Sequence, residues 1–171
     1  MWPADLSDLD VSGLYSWWTD DAGAAELGEG LDSPIEPGRV YVGQTGATRW
    51  PSGIIGRATL RKRISSNHLG GNIRGSTFRL TLAGVLACPL ALTLDGPKRL
   101  TPEAEARLTE WMCDHLSVAV HRFPERDPLS DLESRVLDTL DPPLNLDGRA
   151  LTPARTRLAG LRSSVGASLA P

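Results

Sequence analysis

The sequence predicts an α/β fold of the α+β kind, a small three-stranded mixed sheet flanked by helices. Three runs rich in β-branched and aromatic residues, Val11–Trp18, Arg39–Thr45 and Leu116–Phe123, are separated by longer amphipathic stretches. Thr101-Pro102 and Thr152-Pro153 have the form of helix starts, with threonine as cap and proline in the first turn. The chain has 171 residues, 40% of them hydrophobic, enough for one core and short for two.

Taken in order, Val11–Trp18 (VSGLYSWW) reads as the first strand. Residues 19–38, acidic and rich in Gly and Pro, are expected as a long insertion loop. Arg39–Thr45 (RVYVGQT) is a second strand, and its nearness in sequence favours antiparallel pairing with the first. Ile54–Leu69 is expected to be helical, with Leu60 and Ile64 on one side and a stop at Gly70 and Gly71. Ser76 suits the cap of a further helix whose Phe78, Leu82, Val85 and Leu86 share a face. Residues 89–100 read as irregular, and the helix opened by Thr101 turns Leu108, Trp111 and Met112 inward. Leu116–Phe123 alternates as a third strand. Asp127-Pro128 opens a helix carrying Leu129, Leu132, Val136 and Leu140, broken by Asp141-Pro142-Pro143. Residues 152–165 form a C-terminal helix.

Composition excludes several classes. The longest uncharged apolar run, Leu80–Leu94, contains Gly84 and Pro89 and is too short to span a bilayer, and the acidic N-terminus has no secretory pattern. Cys88 and Cys113 form neither a disulfide framework nor a metal knuckle, so a cytoplasmic protein without membrane partners is expected. The net charge of −3 hides an asymmetry: residues 1–38 carry nine acids and no Lys or Arg, whereas residues 39–79 carry eight bases and no acid. A local basic stripe of this kind answers to a phosphate backbone, although a solvated basic face has the same composition. Its members Arg57, Arg61, Lys62, Arg74 and Arg79 are the expected nucleic-acid-binding residues, and Arg155, Arg157 and Arg162 either extend that surface or close the core.

The only two tyrosines lie in matching tripeptides, Gly13-Leu14-Tyr15 and Tyr41-Val42-Gly43. The basic segment Leu60–His68 follows, then Glu133 within an otherwise apolar helix and Asn145 after the Pro-Pro break. Read singly, the tyrosines are cross-strand packing and Glu133 a solvated carboxylate. In this order, across residues 13–145, the set resembles the GIY-YIG nuclease family. GLY at 13–15 and YVG at 41–43 stand for the two naming motifs, and Arg63, with Arg61 as a second candidate, for the helix arginine. His68, with Asn67 as a competitor, Glu133 in DLESRVL and Asn145 in PPLN complete the set.

The resemblance implies a single nuclease domain over 1–171 that hydrolyses DNA with Mg2+ (or Mn2+). It places Tyr15, Tyr41, Arg63, His68, Glu133 and Asn145 at the catalytic centre, with Glu133 on the metal. The roles make physical sense. One carboxylate suffices for Mg2+, which keeps most of its waters and borrows substrate oxygens. A guanidinium forks onto a phosphate oxygen. A phenol of ordinary pKa ~10 is a poor base, so Tyr15, beside Arg63 and a metal-bound phosphate, is expected to be shifted down, since nearby positive charge favours phenolate. Tyr41 and His68 would relay the proton or bind phosphate, and Asn145 would orient substrate or Glu133. Trp17 and Trp18 divide, one in the core and one able to stack a base. The family suits restriction or phage defence, mobile-element function or repair. The alternatives are a non-catalytic nucleic-acid-binding module on the same fold, and a nuclease for RNA or single-stranded DNA.

Overall fold

The computed structural model describes residues 6–166, so the ends of the expected 1–171 domain lie outside the described residues. The elements run β1 (Gly13–Thr19), α1 (Asp21–Leu31), β2 (Gly38–Thr45), a short hairpin of β3 (Thr48–Arg49) and β4 (Ile54–Ile55), and a π-helix (Lys62–Leu69). There follow α2 (Thr77–Val85), the hairpin β5 (Leu94–Gly96) and β6 (Arg99–Leu100), α3 (Pro102–His115), β7 (Leu116–Arg122), α4 (Leu129–Leu140) and α5 (Pro153–Gly166).

The main sheet has the order β2-β1-β7, and both pairings are antiparallel, so the expected mixed sheet is antiparallel throughout. The connections are the reason. α1 brings the chain back so that Gly38 opens β2 opposite Thr19, and α3 runs without a loop into β7, setting Leu116 opposite Thr19 as well. Each neighbour begins where β1 ends. On one face Tyr15, Trp17 and Tyr41 pack with Phe78, Leu82, Leu60 and Ile64 in the main core. On the other, Leu14 is covered by Leu129, Leu132 and Val136 of α4. Trp17 is fully buried, while Trp18 is partly exposed with the Arg39 guanidinium 5.0 Å above its ring.

Residues 19–38, expected as a loop, contain α1. Asp20 caps it by accepting from the Gly23 N–H at 2.7 Å, and Ala24, Leu27 and Leu31 are buried. Glycine lowers intrinsic helix propensity by about 1 kcal/mol, but here it has a packing purpose. A Cβ at Gly30 would collide with the Val85 carbonyl oxygen, so the glycine lets α1 lie directly against α2. The helix expected over Ile54–Leu69 begins only at Leu60. Ile54 and Ile55 instead pair with Arg49 and Thr48, and Gly53 supplies the positive φ of the turn. Residues 89–100, expected as irregular, include the β5–β6 hairpin. Caps at Ser76 and Thr101 stand where the sequence places them. Both cysteines are free, and among the described residues no helix is long and apolar enough to cross a membrane.

Candidate active site

The register of β1 against β2 sets Tyr15 opposite Gly43 and Trp17 opposite Tyr41, which places both phenols on one face with ring centroids 6.5 Å apart. The glycines of the two tripeptides are demanded by contact. A Cβ on Gly43 would lie 2.5 Å from the Tyr15 hydroxyl, and one on Gly13 would strike the His121 carbonyl oxygen in β7. Gly43 therefore lets the buried Tyr15 lie across β2, and Gly13 lets β7 approach β1 closely.

The π-helix supplies the partners of Tyr15. Arg63 Nε donates to the Tyr15 hydroxyl at 3.3 Å, and His68 Nε2 shares a hydrogen bond with the same oxygen at 2.9 Å. His68 Nδ1 bonds Ser76 Oγ at 2.7 Å, and that oxygen also caps α2 by accepting from the Arg79 N–H at 3.1 Å. In an α-helix, residues five apart point about 140° away from each other. The wider π turn, seen in the Gly70 N–H to Ser65 carbonyl bond of 2.7 Å, lets Arg63 and His68 converge on one phenol. Of the two candidate arginines, only Arg63 does so, because Arg61 forms an exposed ion pair with Asp10. Asn67 lines the neighbouring cleft instead of meeting Tyr15.

Burial dominates the electrostatics. It raises the Tyr15 phenol above its ordinary pKa, and the charge and hydrogen bond of Arg63 only partly offset this. Arg63 by itself therefore does not bring about the expected downward shift, and in this environment Tyr15 is a neutral phenol. Tyr41 is raised by burial too, and then by Tyr15. His68 is pushed down to about 3, first by burial and then by the charges of Arg63 and Arg79. Its imidazole is accordingly neutral near pH 7.

Arg79, expected on the phosphate-facing surface, is fully buried. It donates to the His68 carbonyl at 2.8 Å, to Thr109 Oγ1 at 3.0 Å and to the Glu105 carboxylate at 2.6 Å. The final carbonyls of a helix lack helical donors, so Arg79 ties down the turn that carries His68.

β2 is an edge strand, and its outward-facing backbone groups organise the rest of the site. The Leu144 N–H donates to the Val40 carbonyl at 3.0 Å. The Asn145 side chain accepts from the Val42 N–H at 2.9 Å and donates to the Val42 carbonyl at 2.8 Å. The next outward amide, that of Gln44, faces the Glu133 carboxylate. Asn145 was expected to orient substrate or Glu133; instead both ends of its amide clamp the strand between Tyr41 and Gly43. Arg155 in turn holds the clamp, donating to the Asn145 carbonyl at 3.1 Å and to Asp141 at 2.8 Å. It closes the core rather than extending the basic surface. Ser76 and Arg155 are supporting residues whose roles are only partly legible in the sequence: the cap position of Ser76 and a core-closing Arg155 were legible, their bonds to His68 and to Asn145 were not.

Glu133 is half-buried, and burial raises its carboxyl to about 7 against the opposing pull of the Gln44 amide and Arg63. Among the described residues it makes no ion pair, and no three metal-ligating side chains gather anywhere. A lone desolvated carboxylate without a cation fits Mg2+, which needs few protein oxygens, and does not fit a metal requiring a closed ligand cage. Beside it a cleft of about 780 Å³ is lined by Arg49, Arg57, Lys62, Arg63 and Asn67, with Asp131 the acid among them. Arg74 is exposed but lies away from the cleft, donating to the Pro97 carbonyl at 3.3 Å.

The arrangement agrees with a comparison of families: the model for the GIY-YIG catalytic domain matches residues 13–164. The chain belongs to the GIY-YIG family. No curated protein and no solved structure matches it. A GIY-YIG catalytic domain implies a nuclease-type hydrolase whose substrate is nucleic acid. The GIY-YIG tripeptides of this chain, GLY and YVG, are the two that the register joins through Tyr15 and Gly43.

Proposed function

We propose that the protein is an endonuclease that hydrolyses phosphodiester bonds in DNA, with Mg2+ (or Mn2+) as its cofactor. The observation carrying this reading is the hydrogen-bonded chain Arg63–Tyr15–His68–Ser76, set beside a basic cleft lined by Arg63 and by Gln44, whose amide meets the Glu133 carboxylate. Arg63 uses Nε on Tyr15, and none of the hydrogen bonds among the described residues engages its terminal nitrogens, which fork onto a non-bridging phosphate oxygen. Tyr41, whose hydroxyl has no hydrogen bond among the described residues, donates to a second phosphate oxygen.

Water attacks phosphorus as its proton passes to the Tyr15 oxygen and the Tyr15 proton passes to His68 Nε2. The ester oxygen then departs and takes a proton from solvent. This relay needs the His68 tautomer with Nδ1–H donated to Ser76, which leaves Nε2 as the acceptor. A phosphate on Arg63 offsets one of the two cations that depress His68, so substrate makes the imidazole more basic when the proton arrives. Held by Glu133, Mg2+ would stabilise the charge that builds on the phosphate oxygens.

The test is cleavage of supercoiled plasmid, duplex oligonucleotide, single-stranded DNA and structured RNA, each with Mg2+ and with EDTA. Mg2+-dependent nicking of duplex DNA is expected. Binding without nicking would instead establish the non-catalytic module, and cleavage confined to RNA or single strands would change the substrate.

A further inference from the structure

Between the YVG tripeptide and the π-helix, the chain makes a hairpin whose base packs Ala47 against Leu14 and Leu129 but whose tip serves neither the catalytic chain nor the core. Three large apolar side chains stand on it in solvent: Trp50 is 65% exposed, Ile54 61% and Ile55 57%. Soluble surfaces seldom gather such residues without an interaction to serve. The base of the hairpin is firmly held. Thr48 N–H donates to the Arg126 carbonyl at 3.1 Å, Thr48 Oγ1 to Asp127 at 2.6 Å, and the Gly56 N–H to the Ala47 carbonyl at 3.0 Å. Arg126 adds bonds to the Gly46 and Gly56 carbonyls. A rigid stem thus presents an apolar tip.

The surroundings of the tip name its partner. Trp50 and Arg49 line the same cleft as Arg57, Lys62 and Arg63, while Ile54 and Ile55 line an adjoining hollow that shares Arg57. Apolar side chains fringed by arginines and lysine match a polyanion with an apolar interior, which is a stack of bases inside a phosphate backbone. A membrane surface or a protein partner does not account for the continuity of this cleft with Arg63.

We infer that the 46–57 hairpin is a wedge: Arg49 and Arg57 grip the phosphates of duplex DNA, and Trp50 with Ile54 and Ile55 inserts at a base step beside the scissile bond. The inference rests on the proposed nuclease reading. Apolar wedges of this kind unstack a step and bend the duplex, and the exposed indole offers the stacking surface for the separated base. Opening the step at the cleft would turn the scissile phosphate toward Arg63 and Tyr15.

The test uses the full chain carrying Glu133→Gln, in EDTA, on covalently closed plasmid relaxed by a metal-independent topoisomerase. Gel shifts of the same mixtures report binding. Wedge insertion unwinds the helix, so the recovered plasmid should carry negative supercoils in proportion to protein bound. The triple variant W50A/I54A/I55A, altered only at exposed side chains, should lose that change and bind about tenfold to a hundredfold more weakly, as for lost base stacking. Trp50→Phe should restore part of both. Binding with an unchanged linking number, or a triple variant that unwinds as well as its parent, overturns the wedge while leaving the nuclease reading intact. Failure to bind the plasmid at all overturns the duplex-DNA reading itself, and the wedge with it.

Discussion

Arg79 and Arg57 belong to the same basic stretch of sequence and end in opposite surroundings. Arg79 is sealed beneath the π-helix, bonded to His68, Thr109 and Glu105, whereas Arg57 stands exposed at the rim of the cleft. The same division runs through the whole site. Its inner wall, Tyr15, His68, Ser76 and Arg79, is buried and hydrogen-bonded along its length. Its outer wall, Arg49, Arg57 and Lys62, holds charges that face water. A buried charge must be paired and fixed, because desolvation is costly, while an exposed one stays available to a ligand at little expense. The inner wall sets the geometry of the chemistry, and the outer wall gathers the substrate.

The comparison can be broken at either wall. The largest effect is expected at the boundary between them: Glu133→Gln keeps the shape, removes the charge a metal needs, and should abolish plasmid cleavage while circular dichroism and DNA affinity stay near wild type. Turnover at the wild-type rate would remove Glu133 from the metal. Tyr15→Phe, which takes one hydroxyl from the inner wall, should lower kcat by about 10²–10⁴-fold with little change in DNA affinity; an unchanged kcat would end the relay assigned to it. Arg79→Met should leave the His68 carbonyl without its side-chain donor and Glu105 without its ion-pair partner, and destabilise the fold by about 3–5 kcal/mol in urea denaturation. If Arg79 instead acted on DNA, the loss would appear in affinity with stability preserved.

The pH dependence of stability sharpens the same contrast. The folded pKa of His68, about 3, lies below the unfolded value of about 6.5. Between these values the unfolded chain binds more protons, so this group destabilises the fold as pH falls, by roughly 1.4 kcal/mol per pH unit within the window. Its contribution is fully present above pH about 6.5. Glu133, raised to about 7 by burial, opposes this over part of the same range, so the test is a difference. In urea titrations from pH 7 to 4, wild type should lose stability relative to His68→Gln by that slope, and parallel curves would mean the imidazole is not buried in its neutral form. The smallest effects belong to the outer wall. Arg57→Ala and Lys62→Ala should each reduce the salt dependence of log Kd by about one unit of slope and leave Tm unchanged, and a salt slope identical to wild type would make those residues a solvated face.

Much of this was legible in one dimension. β-branched and aromatic composition placed the first two strands and alternation the third, because such side chains suit a pleated, packed surface. Ser76, Thr101 and Asp127-Pro128 marked helix starts, because orphan N–H groups at a helix entry need an acceptor or a proline. The order of GLY, YVG, Arg63, His68, Glu133 and Asn145 pointed to the family. α1 was not legible: its glycines argue against a helix, and the close approach of α2 at Gly30 exists only in the folded chain. The hairpin at 46–57 was hidden for a related reason, since Ile54 and Ile55 read as the start of a helix and are in fact paired in β4 and exposed.

By itself, then, the sequence determined which residues are present at which spacing, and with them the element types, the cap positions and the family. Tertiary structure decided what each polar group would face. The five-residue spacing of Arg63 and His68 became a shared contact only through the π turn, and the phenol of Tyr15 is raised in pKa because desolvation outweighs the adjacent guanidinium. It also turned Arg79 inward and spent the amide of Asn145 on Val42. Residue identity states what charge or hydrogen bond a side chain can offer, but burial and partners are properties of the packed whole, and they set both the cost of a charge and the direction of a bond.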